Sequence, residues 1–236
     1  MRVYRGRADT VEDDRSVTDR LFERAADQGE PAVRVWRPHR HVAFGRRDAR
    51  TDGYDRAREA AVERGFPPVE RRVGGRAVAY TGTTVAFARV VPIDDPRGGL
   101  GARYAAATDD LRSAFAELGV AATEGEPPDS FCPGTHSLRI GRDGGKVVGL
   151  AQRVRRRAAA VAGICLVADH EAIASVLEPV YTALDVPFDP DSVTSVARAG
   201  SDVDPVTAMA AVESALVGDR ETTVERIGSG RPATGD

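Results

Sequence analysis

Residues 15–28 place Val17, Leu21 and Ala25 at helical spacing, with Gly29 as a stop, so a helix is expected there. Two short alternating runs follow, 31–38 and 41–46, and their spacing predicts a pair of adjacent strands. A second amphipathic helix is expected over 51–65, because Pro67 and Pro68 cannot continue it. Residues 69–92 read as strand, glycine-rich turn, strand, turn, strand. A longer helix spans about 100–118, carrying Tyr104, Leu111, Phe115 and Leu118. From Ser137 the pattern returns to strands: SLRIG, then KVVGLAQRV, then AAAVAGICLV, the first two joined by the polar hairpin connection GRDGGK. Residues 170–185 and 204–217 read as helices, separated by the loop VPFDPDSVTSVARAG.

Strands arriving in adjacent hairpins, with helices between the groups, predict an α/β fold: a mixed, largely antiparallel sheet flanked by helices. A doubly wound sheet would alternate strand and helix one for one. No linker divides the chain, so one domain is expected over residues 1–228, with a disordered tail at 229–236. At 236 residues, 42% hydrophobic and 29% charged, the composition is that of a globular protein able to bury a core. The net charge of −3 argues against nucleic acid as a partner, since phosphate binding needs a basic excess. No apolar run approaches a membrane span, and the polar N-terminal stretch does not read as a signal peptide. A cytoplasmic protein with no membrane partner is the expectation.

Two scarce residue types narrow the chemistry. Lys146 is the only lysine beside 32 arginines, and an ammonium is a compact donor that a planar guanidinium does not replace. Of two cysteines, Cys165 sits in a continuous apolar run and reads as a small buried hydrophobe. Cys132 lies among Pro, Gly, Ser and Thr in a loop, where a thiol is placed for chemistry, although an inert turn cysteine is the plainer reading. No metal-ligand spacing is evident.

Three segments could carry chemistry. In RRVGGRAV (71–78) the glycines let backbone N–H groups approach a ligand closely, although a hairpin bend explains them equally well. In FCPGTHSL (131–138) the cysteine needs a base or a positive neighbour, and His136 could serve if the turn folds back; an exposed loop histidine is the plainer reading. In GGKVVGLAQRV (144–154) the lysine opens a strand, which aims it reproducibly. The arginines at 153 and 155–157 are consistent with a solvated strand edge.

Taken in this order, RRVGGRAVAY followed by FCPGTHSLRIGRDGGKVVGLAQRV resembles the catalytic domain of the lipoate–protein ligase and octanoyltransferase superfamily, with VWRPHRHVAFGRRDA as supporting context upstream. The similarity spans about residues 33–167. It implies a biotin/lipoyl-ligase fold, related to class II aminoacyl-tRNA synthetase cores. The position of FCPG before the lysine strand is similar to that in the cysteine-dependent octanoyl/lipoyl amidotransferases. By this resemblance Cys132 is the nucleophile and Lys146 contacts the acyl carbonyl. Gly74, Gly75 and Ala77 wall the acyl pocket with Arg72 beside them, and Gly149 and Gln152 belong to the lysine-strand motif. Tyr80 departs from the His or Asp that many relatives carry.

The resemblance implies an acyltransferase that moves an octanoyl or lipoyl group, through a cysteine thioester, onto the lysine of a lipoyl domain. Its partners would be lipoyl domains of 2-oxoacid dehydrogenase subunits, the glycine-cleavage H protein or an acyl carrier protein, and no cofactor is required. The alternative is an ATP- and Mg-dependent lipoate–protein ligase forming lipoyl-AMP. A further alternative is a non-catalytic protein that binds lipoyl domains.

Overall fold

In the computed structural model, which describes residues 1–71, 74–141 and 144–228, strand β1 (Arg2–Arg5) leads into helix α1 (Val11–Gln28). The helix starts earlier than its apolar spacing implies because Thr10 caps it: the side-chain oxygen accepts from the Asp13 N–H. Glu12, Asp13 and Asp14 then fill the first turn, where the helix dipole favours negative charge. Left-handed Gly29 ends it.

The next two strands, β2 (Ala32–Trp36) and β3 (His41–Phe44), do not pair, which corrects the expectation of adjacent strands. Both are buried along nearly their whole length, so each needs a neighbour on both edges. β2 finds them in β1 and β6 (Thr84–Pro92). β3 forms the centre of a separate three-stranded sheet, between β4 (Pro68–Glu70) and β5 (Val78–Tyr80). The consecutive strands expected over 69–92 are therefore split between two sheets.

The main sheet has eight strands in the order β11-β1-β2-β6-β10-β9-β8-β7, with β7 (Ala122–Glu124), β8 (Ser137–Ile140), β9 (Lys146–Val154), β10 (Ala158–Leu166) and β11 (Thr223–Arg226). Its β11–β1–β2 end is parallel and every other pairing is antiparallel. The mixed, largely antiparallel sheet that the patterning predicts is thus present. Helices α2 (Tyr54–Glu63) and α4 (His170–Ala183) pack on each other, as do α3 (Leu100–Glu117) and α5 (Pro205–Val217). α1 lies on β6 and β10, where Leu21, Phe22 and Ala25 join Val90 and Ala160 in a buried cluster. The expected tail at 229–236 lies outside the described residues.

One buried charge pair ties α1 to the sheet. Arg34 on β2 is fully buried and pairs with Asp14, donating also to the Asp14 carbonyl at 3.0 Å and to the Gly6 carbonyl at 3.1 Å. Burial pulls the Arg34 pKa down, while the bond and charge of Asp14 hold it up. We expect Asp14→Ala to cost about 3–5 kcal/mol of stability, measured by urea unfolding, because it strands a buried cation. Asp14→Ala with Arg34→Met should recover much of that loss.

Candidate active site

The loop between β7 and β8 delivers Cys132 to the wall of a cavity of about 630 Å³. The cavity is mainly apolar, bounded by Ala86, Phe87, Ala162 and Ile164 of the main sheet and by Thr18 and Phe22 of α1. Cys132 has φ = 43°, the left-handed region that a non-glycine residue enters only at a cost. Two contacts hold it there. Its N–H donates to Tyr181 Oη at 2.6 Å, and its carbonyl accepts from Lys146 Nζ at 3.2 Å. Tyr181 is fully buried on α4, and its hydroxyl in turn donates to the Ala77 carbonyl at 3.0 Å. Burial pushes the Tyr181 pKa well up, so the hydroxyl remains a donor.

The sulfur faces two N–H donors. The Arg76 backbone N–H reaches Sγ at 3.3 Å and Arg71 Nη2 lies at 3.5 Å, while that same Nη2 donates to the Arg76 carbonyl at 2.5 Å. Burial works against the Arg71 cation, but its attraction to Cys132 and Tyr80 prevails and its pKa is raised. Gly75 makes the approach possible: its φ of +90° suits glycine, and a Cβ there would sit 2.8 Å from Sγ.

Lys146 is 2% exposed and donates to Glu126 Oε1 at 2.8 Å, the Phe131 carbonyl at 3.0 Å and the Cys132 carbonyl at 3.2 Å. Its three protons therefore have three acceptors. Ser130 Oγ also bonds Glu126 Oε1.

Cys132, Lys146, Gly74, Gly75, Gly149 and Gln152 all line the cavity. Ala77 does not: it is fully buried, and its contact with the site is the carbonyl that holds Tyr181. Arg72 lies outside the described residues. His136 lines the cavity but stacks on Tyr104, ring centroids 3.7 Å apart, and the groups hydrogen-bonded to Sγ are Arg71 and Arg76. Among the described residues no group of three or more His, Cys, Asp or Glu could hold a metal ion. Sequence reasoning passed over Glu126 and Tyr181 and took Arg71 only as one of the arginines flanking the glycines, adding charge for an anion. Arg71 stood inside the quoted RRVGG segment, whereas a tyrosine in a helix about 50 residues from the cysteine gave no signal.

The family model of the lipoyl protein ligase A/B catalytic domain matches residues 12–217, from the second residue of α1 to the end of α5. The chain belongs to the lipoyl protein ligase A/B catalytic-domain family. Two relatives of this chain are octanoyl-[GcvH]:protein N-octanoyltransferases. The one from Exiguobacterium sibiricum is 33% identical over 171 residues, covering 71% of this chain and 60% of the relative. The one from Geobacillus kaustophilus is 29% identical over 136 residues, 58% of this chain and 47% of the relative. The chain thus matches 60% or less of the length of these curated relatives. Among solved structures, a lipoate-protein ligase A bound with ATP superposes with a TM-score of 0.75 at 18% identity, covering 96% of this chain and 88% of that one. The bipartite lipoate protein ligase of Thermoplasma acidophilum gives 0.72 at 16% identity, covering 96% and 87%. At these identities they show the ligase A/B fold.

Two measurements probe the site's construction. Tyr181→Phe should cost about 1–3 kcal/mol in urea unfolding, because it leaves the Cys132 N–H and the Ala77 carbonyl without their partner. His41, stacked flat on Tyr80, is pushed down to about 4 by burial, against the bond its ring makes to the His39 carbonyl. The unfolded chain takes up this proton near pH 6.5 and the folded chain only near pH 4. Its contribution is therefore full above pH 6.5 and declines as pH falls toward 4, by up to about 3 kcal/mol. His41→Asn should flatten that part of the stability–pH curve.

Proposed function

We propose that this chain is an acyltransferase that carries an octanoyl or lipoyl group as a thioester on Cys132 and passes it to the lysine of a lipoyl domain. The observation that carries the reading is the Cys132 sulfur at the wall of an apolar cavity, with two N–H donors on it. Those donors match a sulfur that bears negative charge, and the cavity offers an acyl chain a place out of water. The names of the two relatives point to an octanoylated glycine-cleavage H protein as donor. Lipoyl domains of 2-oxoacid dehydrogenase subunits are the acceptors, and acylated carrier protein is the donor to compare.

The thiolate attacks the acyl carbonyl of the donor and forms a C–S bond. The tetrahedral oxyanion collapses by breaking the C–N bond to the donor's lysine, whose nitrogen takes a proton from water and leaves as a neutral amine. Once sulfur is acylated, it no longer carries the charge that Arg71 Nη2 and the Arg76 N–H face, and both donors become available to an oxyanion. The neutral amine of the acceptor lysine then attacks the thioester: the amide C–N bond forms, the C–S bond breaks, the nitrogen gives up one proton to water, and the cysteine thiolate is released. One amide is exchanged for another, so no ATP, metal or other cofactor is required. Lys146 serves by fixing the Cys132 carbonyl and the 126–132 loop. Gly74, Gly75, Gly149 and Gln152 shape the cavity. The reaction needs Cys132 as a free thiol, which suits the reducing cytoplasm.

The test is intact mass after incubation without ATP, with octanoylated H protein and octanoylated carrier protein in parallel, beside a Cys132→Ala control. A single hydroxylamine-labile octanoyl adduct, absent from the control, is expected. If no donor leaves an adduct while ATP and free lipoate modify a lipoyl domain, the ligase reading replaces this one.

A further inference from the structure

The glycine-rich turn is held from behind by a buried charge. Asp48 opens a 3₁₀ turn (Asp48–Arg50) just after β3 and is completely buried. Its Oδ2 accepts from the Gly45 N–H at 3.0 Å, and its Oδ1 accepts from Arg76 Nη1 at 3.2 Å. Burial raises the Asp48 pKa, opposed by the Gly45 N–H and by Arg76. A carboxylate buried this far needs its cation, and Arg76 is the residue that supplies it.

Arg76 also presents its backbone N–H to Cys132 Sγ. Any residue at 76 except proline would carry that N–H, so the contact itself does not require arginine. What the arginine side chain adds is an anchor pointing away from the sulfur, into the 45–48 segment. The two segments meet closely elsewhere as well. The Arg71 N–H donates to the Phe44 carbonyl at 2.8 Å, and a Cβ on Gly45 would collide with the Gly75 carbonyl. Arg71 and the 74–76 segment are thereby held to the end of β3 at three points, and among the described residues only the Asp48–Arg76 link there depends on side-chain charge.

We propose that the Asp48–Arg76 ion pair is a positioning device for the nucleophile, holding the 74–76 turn so that the Arg76 N–H stays on the Cys132 sulfur. Asp48 and Arg76 are positioning residues in this account. The effect on turnover rests on the thioester reading above, whereas the effect on the sulfur does not.

The experiment uses the full chain with Arg76→Ala, Arg76→Lys and Asp48→Asn. Three quantities are read: unfolding by urea, the rate at which iodoacetamide alkylates Cys132 at fixed pH, and kcat and KM with octanoylated H protein. Cys165 is buried and its thiol is pushed up by that burial, so alkylation reports on Cys132. Arg76→Ala and Asp48→Asn should both slow alkylation. Both should lower kcat by about 10- to 100-fold, the scale on which misplacing a reacting group acts, with KM little changed. Arg76→Lys, which keeps the cation, should recover most of both. Wild-type alkylation and kcat in Arg76→Ala and Asp48→Asn, even with reduced stability, would overturn the proposal. Should Arg76→Ala fail to fold, the isosteric Asp48→Asn carries the same test. Slowed alkylation without any acyl adduct on the wild-type chain would support the positioning role and defeat the thioester reading instead.

Discussion

The active-site geometry depends on holding one cysteine in a backbone conformation it would not choose. Cys132 at φ = 43° is pinned on both sides of its Cα, its N–H by Tyr181 and its carbonyl by Lys146. A left-handed cysteine costs on the order of 1–2 kcal/mol, which one or two buried hydrogen bonds are able to offset. The two anchors come from distant parts of the chain, α4 and the first residue of β9. The loop conformation is therefore a consequence of tertiary packing, and its sulfur points where the packing of three elements sends it. The third contribution comes from Arg71 and Arg76, whose N–H groups meet that sulfur.

This arrangement explains why the fold has a second, three-stranded sheet. Were β3 paired to β2 in the main sheet, Arg71, which bonds to the end of β3 through Phe44, would be carried away from the β7–β8 loop. Placing β3 at the centre of its own sheet lets β4 and β5 flank it, so both ends of the glycine turn are tied to one rigid strand. α4 packs on β5 and brings Tyr181 with it. The main sheet supplies the other wall: small residues such as Ala86, Ala162 and Gly163 leave the space that becomes the cavity.

How much of this could be read from the chain varies with the range of the interaction. The long helices and the β8–β9–β10 succession follow local periodicity and turn chemistry, so their order was legible. β1, β7 and β11 were not, because each is three or four residues long and stands apart in sequence from the consecutive strand runs that made the short β8 legible. Strand partners were not legible either: the short runs of β2 and β3 mark strands, but both are buried along nearly their whole length and nothing local in either names the strand it pairs with. At the site, Cys132 and Lys146 were visible because each is scarce in this composition, and Gly75 because its motif is a turn. Tyr181 and Asp48 were invisible for the opposite reason. A buried tyrosine and one aspartate among many acquire meaning only from what lies across from them.

The single lysine now has a geometric explanation. Three acceptors converge on Lys146 Nζ from different directions: one carboxylate oxygen and two successive backbone carbonyls. A tetrahedral ammonium offers three protons fanning from one nitrogen, which suits that convergence, while a guanidinium spreads its five N–H groups in a plane and would need a wider, flatter site. A longer, planar head in a position 2% exposed would also have to displace Phe131, whose ring centroid lies 4.9 Å from Nζ. In a chain that meets its other needs for positive charge with arginine, this is the position where the substitution is not geometrically equivalent. The same reasoning accounts for Glu126, which offsets the charge of a cation drawn almost wholly out of water while the two carbonyls do the positioning.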